Sequence, residues 1–300
     1  MNVFYSPSYV ASTYAFDTTR KAERIAASLA GAPIAGVTLV EPHPLSDELL
    51  GMVHDPDYVR AVRTGIPRSL AESQDFAWND SLWPMVMASN GGVVAAALDA
   101  LAHGVSGSLS SGLHHARRDR GDGYCTFNGL VIAATRALAM GADAVLILDL
   151  DAHCGGGTAS LIDADPRIWQ VDISVCGYDG YVSSERVALR MVRSADDYLN
   201  EIRLGLEIVE RTGPPFSLCL YNAGMDPFEG CDTGGLRGIT REMLTARERL
   251  VFEWCRKQEV AVAFVLAGGY VSERLDANGL VDLHRLTLAA AAESGISRLA

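Results

Sequence analysis

The segment with the clearest chemical signal is Asp149-Leu150-Asp151-Ala152-His153, which directly follows the apolar run AVLIL. Asp149, Asp151 and His153 are spaced two residues apart, so an extended chain directs all three side chains to one side. Buried polar groups in this pattern are costly unless a partner compensates them. A metal ion is a natural partner, because carboxylate and imidazole are suitable zinc ligands and a catalytic zinc site has three protein ligands and an open position.

Three further apolar runs are followed closely by side chains suited to hydrolysis. The run SGSLSSG leads to His114 and His115, SLCLYNAG leads to Asp226, and VAFVLAGG leads to Tyr270. In open parallel sheets, ligands bind beyond the carboxyl ends of the strands. We therefore expect these residues to meet the DLDAH segment in one site, with Asp226 as the candidate third metal ligand.

Each of these three additions is also compatible with an ordinary structural role. The paired histidines precede Arg117 in what could be a polar loop, and Asp226 before a proline is common turn chemistry. Tyr270 after two glycines could be a packed ring beside a turn. The DLDAH segment favours a metal site, and the occurrence of all four features at strand ends favours a single site.

Short apolar runs alternate with stretches of helical length, which predicts βαβ units and a parallel sheet covered on both faces. The runs are 37–40, 105–109, 144–150, 168–175, 216–220 and 260–267, and the helical patterns are 83–103, 127–140, 196–212 and 240–257. We expect one open three-layer α/β/α domain over residues 1–300. Residues 64–82 and 176–195 are predicted to be long loops, which in a compact enzyme often carry function.

The composition of the chain limits the classes of binding partner that we expect. The 25 Lys and Arg against 37 Asp and Glu give a net charge of −12, so no general field attracts nucleic acid or an anionic membrane. The chain begins without the basic start and apolar stretch of a signal peptide. Its six cysteines are scattered without a CxxC pair, as expected of reduced cysteines in the cytosol. These features predict a cytoplasmic protein without membrane spans.

Four stretches resemble, in the right order, the zinc-dependent histone deacetylase and acetylpolyamine amidohydrolase superfamily, which shares its fold with arginase. They are SSGLHHARRDRGDGYCTFNG (110–129), VLILDLDAHCGGGT (145–158), NAGMDPFEG (222–230) and LAGGY (266–270). The resemblance covers roughly residues 45–290. It implies an open, mainly parallel sheet of about eight strands and a narrow channel that leads to a single zinc ion.

The resemblance also implies which residues bind the metal ion and which line the channel. Zinc would be held by Asp151, His153 and Asp226. Gly123 and Tyr124 resemble the channel wall, where the family usually has Gly-Phe. The expected reaction is deacetylation, in which an acyl group is removed from an amine.

Four residues are implied to be catalytic. His115 would be the general base that activates the attacking water and later protonates the leaving amine. His114, partnered by Asp149, would give electrostatic support, and Tyr270 would donate a hydrogen bond to the oxyanion. Asp149 also resembles a ligand of the structural potassium or sodium ion of many members.

The chain departs from the family at Gly156, where a carboxylate usually orients the second of the paired histidines. His115 would then need another orienting group. This departure supports an alternative, a non-catalytic member that binds acyl amines. A dimanganese ureohydrolase is a further alternative, but its Asp-x-His-x-Asp pattern is broken by Gly155. The usual His-Pro-Glu-rich N-terminal segment is replaced by DTTRK, residues 17–21.

The substrate is left open among acetyl-lysine in a peptide, an acetylated polyamine and a small N-acyl metabolite. The two predicted loops are expected to form the channel rim. Asp75, Asp80 and Asp179 are candidates for attracting a cationic substrate, although the pattern favours a solvated acidic loop. Tyr178 and Tyr181 are candidates for the channel lining. A homo-oligomer that narrows the channel is compatible with the sequence.

Overall fold

A computed structural model describes residues 1–12 and 17–297, with the side chains of residues 17–19 left aside. Its centre is a sheet of eight strands, all parallel, in the order β2-β1-β3-β8-β7-β4-β5-β6. The strands are β1 Asn2–Phe4, β2 Thr38–Val40, β3 Val105–Ser108, β4 Val145–Asp149, β5 Ile168–Ser174, β6 Val187–Met191, β7 Leu218–Asn222 and β8 Ala261–Val265.

Helices cover both faces of this sheet. They are α1 Asp17–Gly31, α2 Asp47–Val53, α3 Pro56–Thr64, α4 Arg68–Ala71, α5 Leu82–His103, α6 Gly129–Ala139, α7 Gly156–Leu161, α8 Ala195–Thr212, α9 Arg241–Lys257 and α10 Ala277–Glu293. Short 3₁₀ segments lie at Pro7–Val10 and Ile162–Ala164.

Alternation along the strands divides the core into two layers. In β4, Leu146 and Leu148 pack into the layer under α1, α8, α9 and α10, whereas Val145 and Ile147 pack into the layer under α2, α3, α5 and α6. Because successive side chains of a strand point to opposite faces, a strand covered on both sides is apolar at most of its positions. The predicted α/β/α class with a parallel sheet is confirmed.

Two strands were not predicted from the sequence. β1 has only three residues, and β6 lies inside residues 176–195, so the prediction of a continuous loop there is wrong. β6 is an edge strand that is mostly half-buried, and its sequence VALRM lacks the continuous apolar character of the central strands. Residues 64–82 were also predicted to be a loop. Between the end of α3 and the start of α5, this segment contains only the single helical turn α4.

One helix of the described residues, α5, is long and apolar enough to cross a membrane by length and composition. Two-thirds of its most apolar stretch is buried within the molecule, and α5 packs against β3, β8 and α6. A core helix of this kind meets the same criteria, so the composition of α5 follows from its position between sheet and helices.

Arg247 of α9 lies beneath two of the loops that follow the strands. It is fully buried, and its Nη1 donates to the carbonyls of Gly224 at 2.7 Å and Leu150 at 3.3 Å. Its charge is balanced by Glu248, whose Oε1 lies 2.6 Å from Nη2. Arg247 therefore ties the loop after β4 to the loop after β7.

We expect Arg247→Leu to destabilise the protein by about 3–5 kcal/mol, because it leaves the Glu248 carboxylate buried without its partner. Urea unfolding would measure this. Arg249→Leu is the matched control on the exposed face of α9 and should change the free energy of unfolding by no more than about 0.5 kcal/mol.

The double variant Arg247→Leu, Glu248→Leu removes both charges and should lose less stability than Arg247→Leu alone. A single variant as stable as the wild type would show that the buried pair does not hold the loops.

Candidate active site

Three side chains converge at the carboxyl edge of the sheet between β4 and β7. The donor atoms of Asp151, His153 and Asp226 all lie within 4.8 Å of one another, and all three residues are buried. His153 Nδ1 is 3.1 Å from Asp151 Oδ1 and 3.1 Å from Asp226 Oδ2. Among the described residues, this is the one group of three or more His, Cys, Asp or Glu side chains close enough to hold a metal ion.

The surroundings of the triad fit a metal ion. Asp226 Oδ2 is buried and receives no hydrogen bond of acceptable geometry, despite its closeness to His153. Two glycines leave the space around the carboxylates open: a Cβ on Gly268 would lie 2.0 Å from Asp226 Oδ2, and one on Gly224 would lie 2.6 Å from Asp151 Cα. Two carboxylates and one imidazole are a donor set that zinc accepts, with room for a fourth ligand.

The charges of the triad are unevenly distributed. Burial and the negative charge of Asp151 raise the pKa of Asp226 to about 6. Burial opposes ionisation of Asp151 too, but His114 and His153 hold the pKa of Asp151 well below its usual range. Buried carboxylates this close repel one another unless a cation neutralises them.

Lys21 of α1 contributes a further buried positive charge. Lys21 is 2% exposed, and its ammonium group donates a hydrogen bond to the carbonyl of Ala267, in the turn before Tyr270. Burial lowers the pKa of Lys21 to about 8, although Asp151 and Asp226 act in the opposite direction. Lys21 therefore lies close enough to the triad to partly offset its negative charge.

His114 is paired with a carboxylate at the end of β4. Its Nδ1 lies 2.8 Å from Asp149 Oδ2, and Asn222 donates to the other oxygen of Asp149 at 2.8 Å. Burial lowers the pKa of His114, but Asp149 and Asp151 outweigh burial and raise it to about 10. The His114 imidazole is therefore held in its charged form at neutral pH.

His115 stacks beside His114, with ring centroids 4.0 Å apart, and is paired with a different carboxylate. Its Nδ1 lies 3.0 Å from Oδ2 of Asp179, in the loop after β5. Burial and the charge of His114 lower the pKa of His115, although Asp179 opposes this. The two adjacent imidazoles therefore differ in charge at neutral pH, with His115 neutral.

Aromatic rings lie beside this site. Tyr178 stands edge-on to His115 at 5.0 Å, and Tyr270 stands edge-on to His153 at 6.4 Å between ring centroids. Tyr124 is 40% exposed and lies 5.2 Å from Phe76. Gly123 and Tyr124 both have positive φ, 47° and 65°, and a Cβ on Gly123 would lie 2.6 Å from the His115 ring.

The structure brings every sequence-predicted site residue to this edge of the sheet. The candidate ligands Asp151, His153 and Asp226 form the triad, and the other candidates border it. His114, His115, Asp149, Gly123 and Tyr270 are the bordering residues, and Tyr124 follows Gly123 with its ring beside Phe76.

Two rim predictions were wrong. Asp179 does not lie on the rim, because its side chain is 3% exposed and faces His115. Tyr181 points away from the mouth, since its hydroxyl donates to the buried Asp172 at 3.0 Å. The prediction of a potassium or sodium ion beside Asp149 gains no support, because the one candidate metal group found among the described residues does not include Asp149.

Sequence reasoning also missed Lys21, Asn222 and Arg247 as neighbours of the site. Asn222 ends β7 and could have been found by the same inspection of strand ends. Lys21 and Arg247 lie in helices, where a charged residue is ordinarily taken to face solvent, so no local signal marked them.

The fold of this chain is similar to that of acetylpolyamine aminohydrolase. The crystal structure of that protein from Burkholderia pseudomallei superposes with a TM-score of 0.78 at 17% sequence identity, covering 97% of this chain and 98% of the other. This likeness shows the deacetylase fold.

The sequence matches the family described as histone deacetylase domain over residues 16–281, and the chain belongs to that family. Histone deacetylase 2 of Arabidopsis thaliana is 25% identical over an alignment of 307 positions, which covers 95% of this chain and 79% of that protein. An uncharacterized protein of Picosynechococcus sp. is 32% identical over 226 residues, 74% of this chain and 75% of the relative. The resemblance found in the sequence motifs is confirmed.

Asp226→Asn should weaken zinc binding by more than about 100-fold, beyond the 10–100-fold range typical of residues outside the ligand set. The substitution keeps the side-chain shape and removes one negative donor. Calorimetric titration of zinc into chelator-treated protein would measure the effect.

Asp172→Asn is the matched control for this prediction. Asp172 is a buried carboxyl outside the triad, and burial together with Asp149 raises its pKa to about 8, so its replacement by Asn changes little charge at pH 7. Equal zinc affinity of the Asp226 and Asp172 variants would exclude Asp226 as a ligand.

Proposed function

We propose that this chain is a zinc-dependent amidohydrolase that removes an acyl group, acetyl in the simplest case, from an amine. The observation that carries this proposal is the convergence of a buried Asp151–His153–Asp226 triad with a neutral, carboxylate-paired His115. Membership of the histone deacetylase family supports hydrolysis of an amide. Zinc supplies a Lewis acid that polarises the amide carbonyl and acidifies water.

The two histidines have separate tasks in this proposal. His115 is neutral at pH 7, because burial and the charge of His114 lower its pKa, so it can accept a proton from the attacking water. Once protonated, it can return that proton to the leaving amine. His114 stays charged, since Asp149 and Asp151 raise its pKa to about 10 against the effect of burial, and it stabilises negative charge that develops nearby. Adjacent titratable groups whose environments push their pKa values apart commonly divide acid and base roles.

Tyr270 is the candidate donor to the oxyanion. Its ring stands perpendicular to the ring of His153, with the two ring centroids 6.4 Å apart. An amide is a poor electrophile, and a donor aimed at the developing oxyanion lowers the barrier most where water is excluded. The half-buried position of Tyr270 at the rim of the site suits that role.

The mouth of the site favours an amine substrate with a second positive charge. Burial and the carboxylates of Asp122, Asp179 and Asp75 raise the pKa of Tyr178 at the mouth. Asp122 accepts a hydrogen bond from the Tyr178 hydroxyl, and Asp75 is exposed. We propose an acetylated polyamine or acetyl-lysine as the substrate class, ahead of a neutral N-acyl metabolite.

The remaining sequence-based proposals concern the whole protein. We propose a single catalytic domain over residues 1–300 in the cytoplasm, with no nucleic-acid or membrane partner, in a form compatible with homo-oligomers. The missing carboxylate at Gly156 favoured a non-catalytic binding protein. That reason is weakened by Asp179, which supplies a carboxylate to His115 from another loop.

Zinc-loaded protein should release amine from acetyl-lysine peptide, N-acetylputrescine or N-acetylspermidine, and Tyr270→Phe should lower kcat by about 10²–10³-fold, the usual effect of losing one oxyanion donor. The amine assay ranks peptide against polyamine, and elemental analysis confirms equal zinc content. Absence of turnover on the whole panel despite bound zinc would favour the binding-protein alternative.

The acid limb of the pH profile should lie below the ordinary imidazole range. His115 acts as a base only when neutral, and burial lowers its pKa. kcat/KM should therefore stay level as the pH falls to about 6.5 and decline only below that value, where His115 becomes protonated. Steady-state rates with zinc content checked at each pH would test this, and an acid limb above the ordinary value with zinc retained would contradict the assignment of His115.

A further inference from the structure

The orienting carboxylate for His115 comes from an unexpected part of the chain. We infer that Asp179, in the loop after β5, is the positioning residue for His115. We also infer that position 156 must be glycine to leave room for the Asp179 carboxylate. The inference rests on the proposed amidohydrolase function, in which His115 is the base. It assigns to Asp179 a task that the sequence alone had left without a residue.

The contact itself fixes the tautomer of His115. Asp179 Oδ2 lies 3.0 Å from His115 Nδ1, and the Asp179 side chain is 3% exposed. An ionised carboxylate is an acceptor only, so the proton lies on Nδ1 and the lone pair lies on Nε2. A base with an unprotonated Nε2 is the form that can take a proton from water.

The Asp179 carboxylate is built into its position by two further donors. The backbone N–H of Gly157 donates to Oδ2 at 3.0 Å, and the Arg117 guanidinium donates to Oδ1. Arg117 also donates to the carbonyl of Gly156 at 3.1 Å. The positive charge of Arg117 makes it possible to keep a carboxylate out of water beside a neutral imidazole.

Gly156 is required by this arrangement. A Cβ at position 156 would lie 2.4 Å from Asp179 Oδ1 and 2.3 Å from the Asp179 carbonyl oxygen. No other residue therefore fits at 156 while Asp179 occupies its place. The absence of a side chain at 156 and the presence of the carboxylate at 179 are two parts of one feature.

Backbone hydrogen bonds hold the loop after β5 against the ligand segment. The N–H groups of Val175 and Cys176 donate to the carbonyl of Ala152, at 3.0 and 2.8 Å, and Cys154 N–H donates to the carbonyl of Tyr178 at 3.0 Å. Asp179 itself has φ of 57°, a region that Asp and Asn tolerate better than most residues. The position of the carboxylate is thus determined by the same segment that carries His153.

Asp179→Asn tests the inference with the backbone preserved. An amide has one oxygen where the carboxylate serves three donors, so one NH₂ hydrogen must face a donor. We expect kcat to fall by about 10- to 1000-fold, part of the contribution of a general base, with KM and zinc content unchanged. Asp119→Asn is the matched control, an exposed carboxylate two residues from Arg117, and should keep wild-type kcat.

Rescue of Asp179→Gly by formate distinguishes a positioning role of Asp179 from a purely structural one. Glycine accepts positive φ and leaves a space the size of a carboxylate between Arg117, Gly157 and His115. Added formate should restore kcat in a saturable manner in this variant. It should have no such effect on Asp179→Asn, in which the space is filled, or on the wild type.

A spectroscopic measurement separates this inference from the proposed function. In ¹⁵N-labelled, zinc-loaded protein, the Nδ1 proton of His115, assigned through His115→Asn, should be visible and should be lost or shifted in Asp179→Asn. This holds even if no substrate is turned over, an outcome that would count against the amidohydrolase alone. Wild-type kcat in Asp179→Asn, a loss confined to KM or zinc content, or a His115 Nδ1 without a proton in the wild type would overturn the inference.

Discussion

Much of this structure is arranged around negative charge that is buried at the carboxyl edge of the sheet. Asp149, Asp172 and Asp226 are fully buried and Asp151 is 3% exposed, all within a few residues of the ends of three adjacent strands. Ionised groups cannot remain together in a dry interior unless cations, donors or protons compensate them. The charged groups packed around these carboxylates provide this compensation.

The compensation comes from several layers of the fold. Helix α1 brings Lys21 close to the triad, Arg247 of α9 ties the two ligand loops from below, and His114 is held as a cation beside Asp149. A metal ion at the triad would supply the remaining positive charge. In the proposed reaction, the same ion would act on the substrate as a Lewis acid. The same demand for neutralisation therefore accounts for the stability of the site and for its chemistry.

The paired histidines show how environment divides two identical side chains. His114 sits among carboxylates at the end of β4, whereas His115 meets one carboxylate that is itself neutralised by Arg117. One imidazole is thereby kept charged and the other neutral. The loops after β4 and β5 are joined by backbone hydrogen bonds. A side chain at position 156, after β4, would occupy the place that the Asp179 carboxylate takes from the loop after β5.

The α/β/α class, six of the eight strands and the residues of the candidate triad could be predicted from the residue pattern. A strand covered on both faces is apolar at most positions, and carboxylates and imidazoles at the end of such a strand are costly to bury unless they bind a ligand or a metal ion. Three features became visible only in the folded chain: Asp179 faces His115, Lys21 and Arg247 are buried beside the site, and β6 completes the sheet edge. These features arise from contacts between segments far apart in the chain, and no local pattern of residue types records which distant groups will meet.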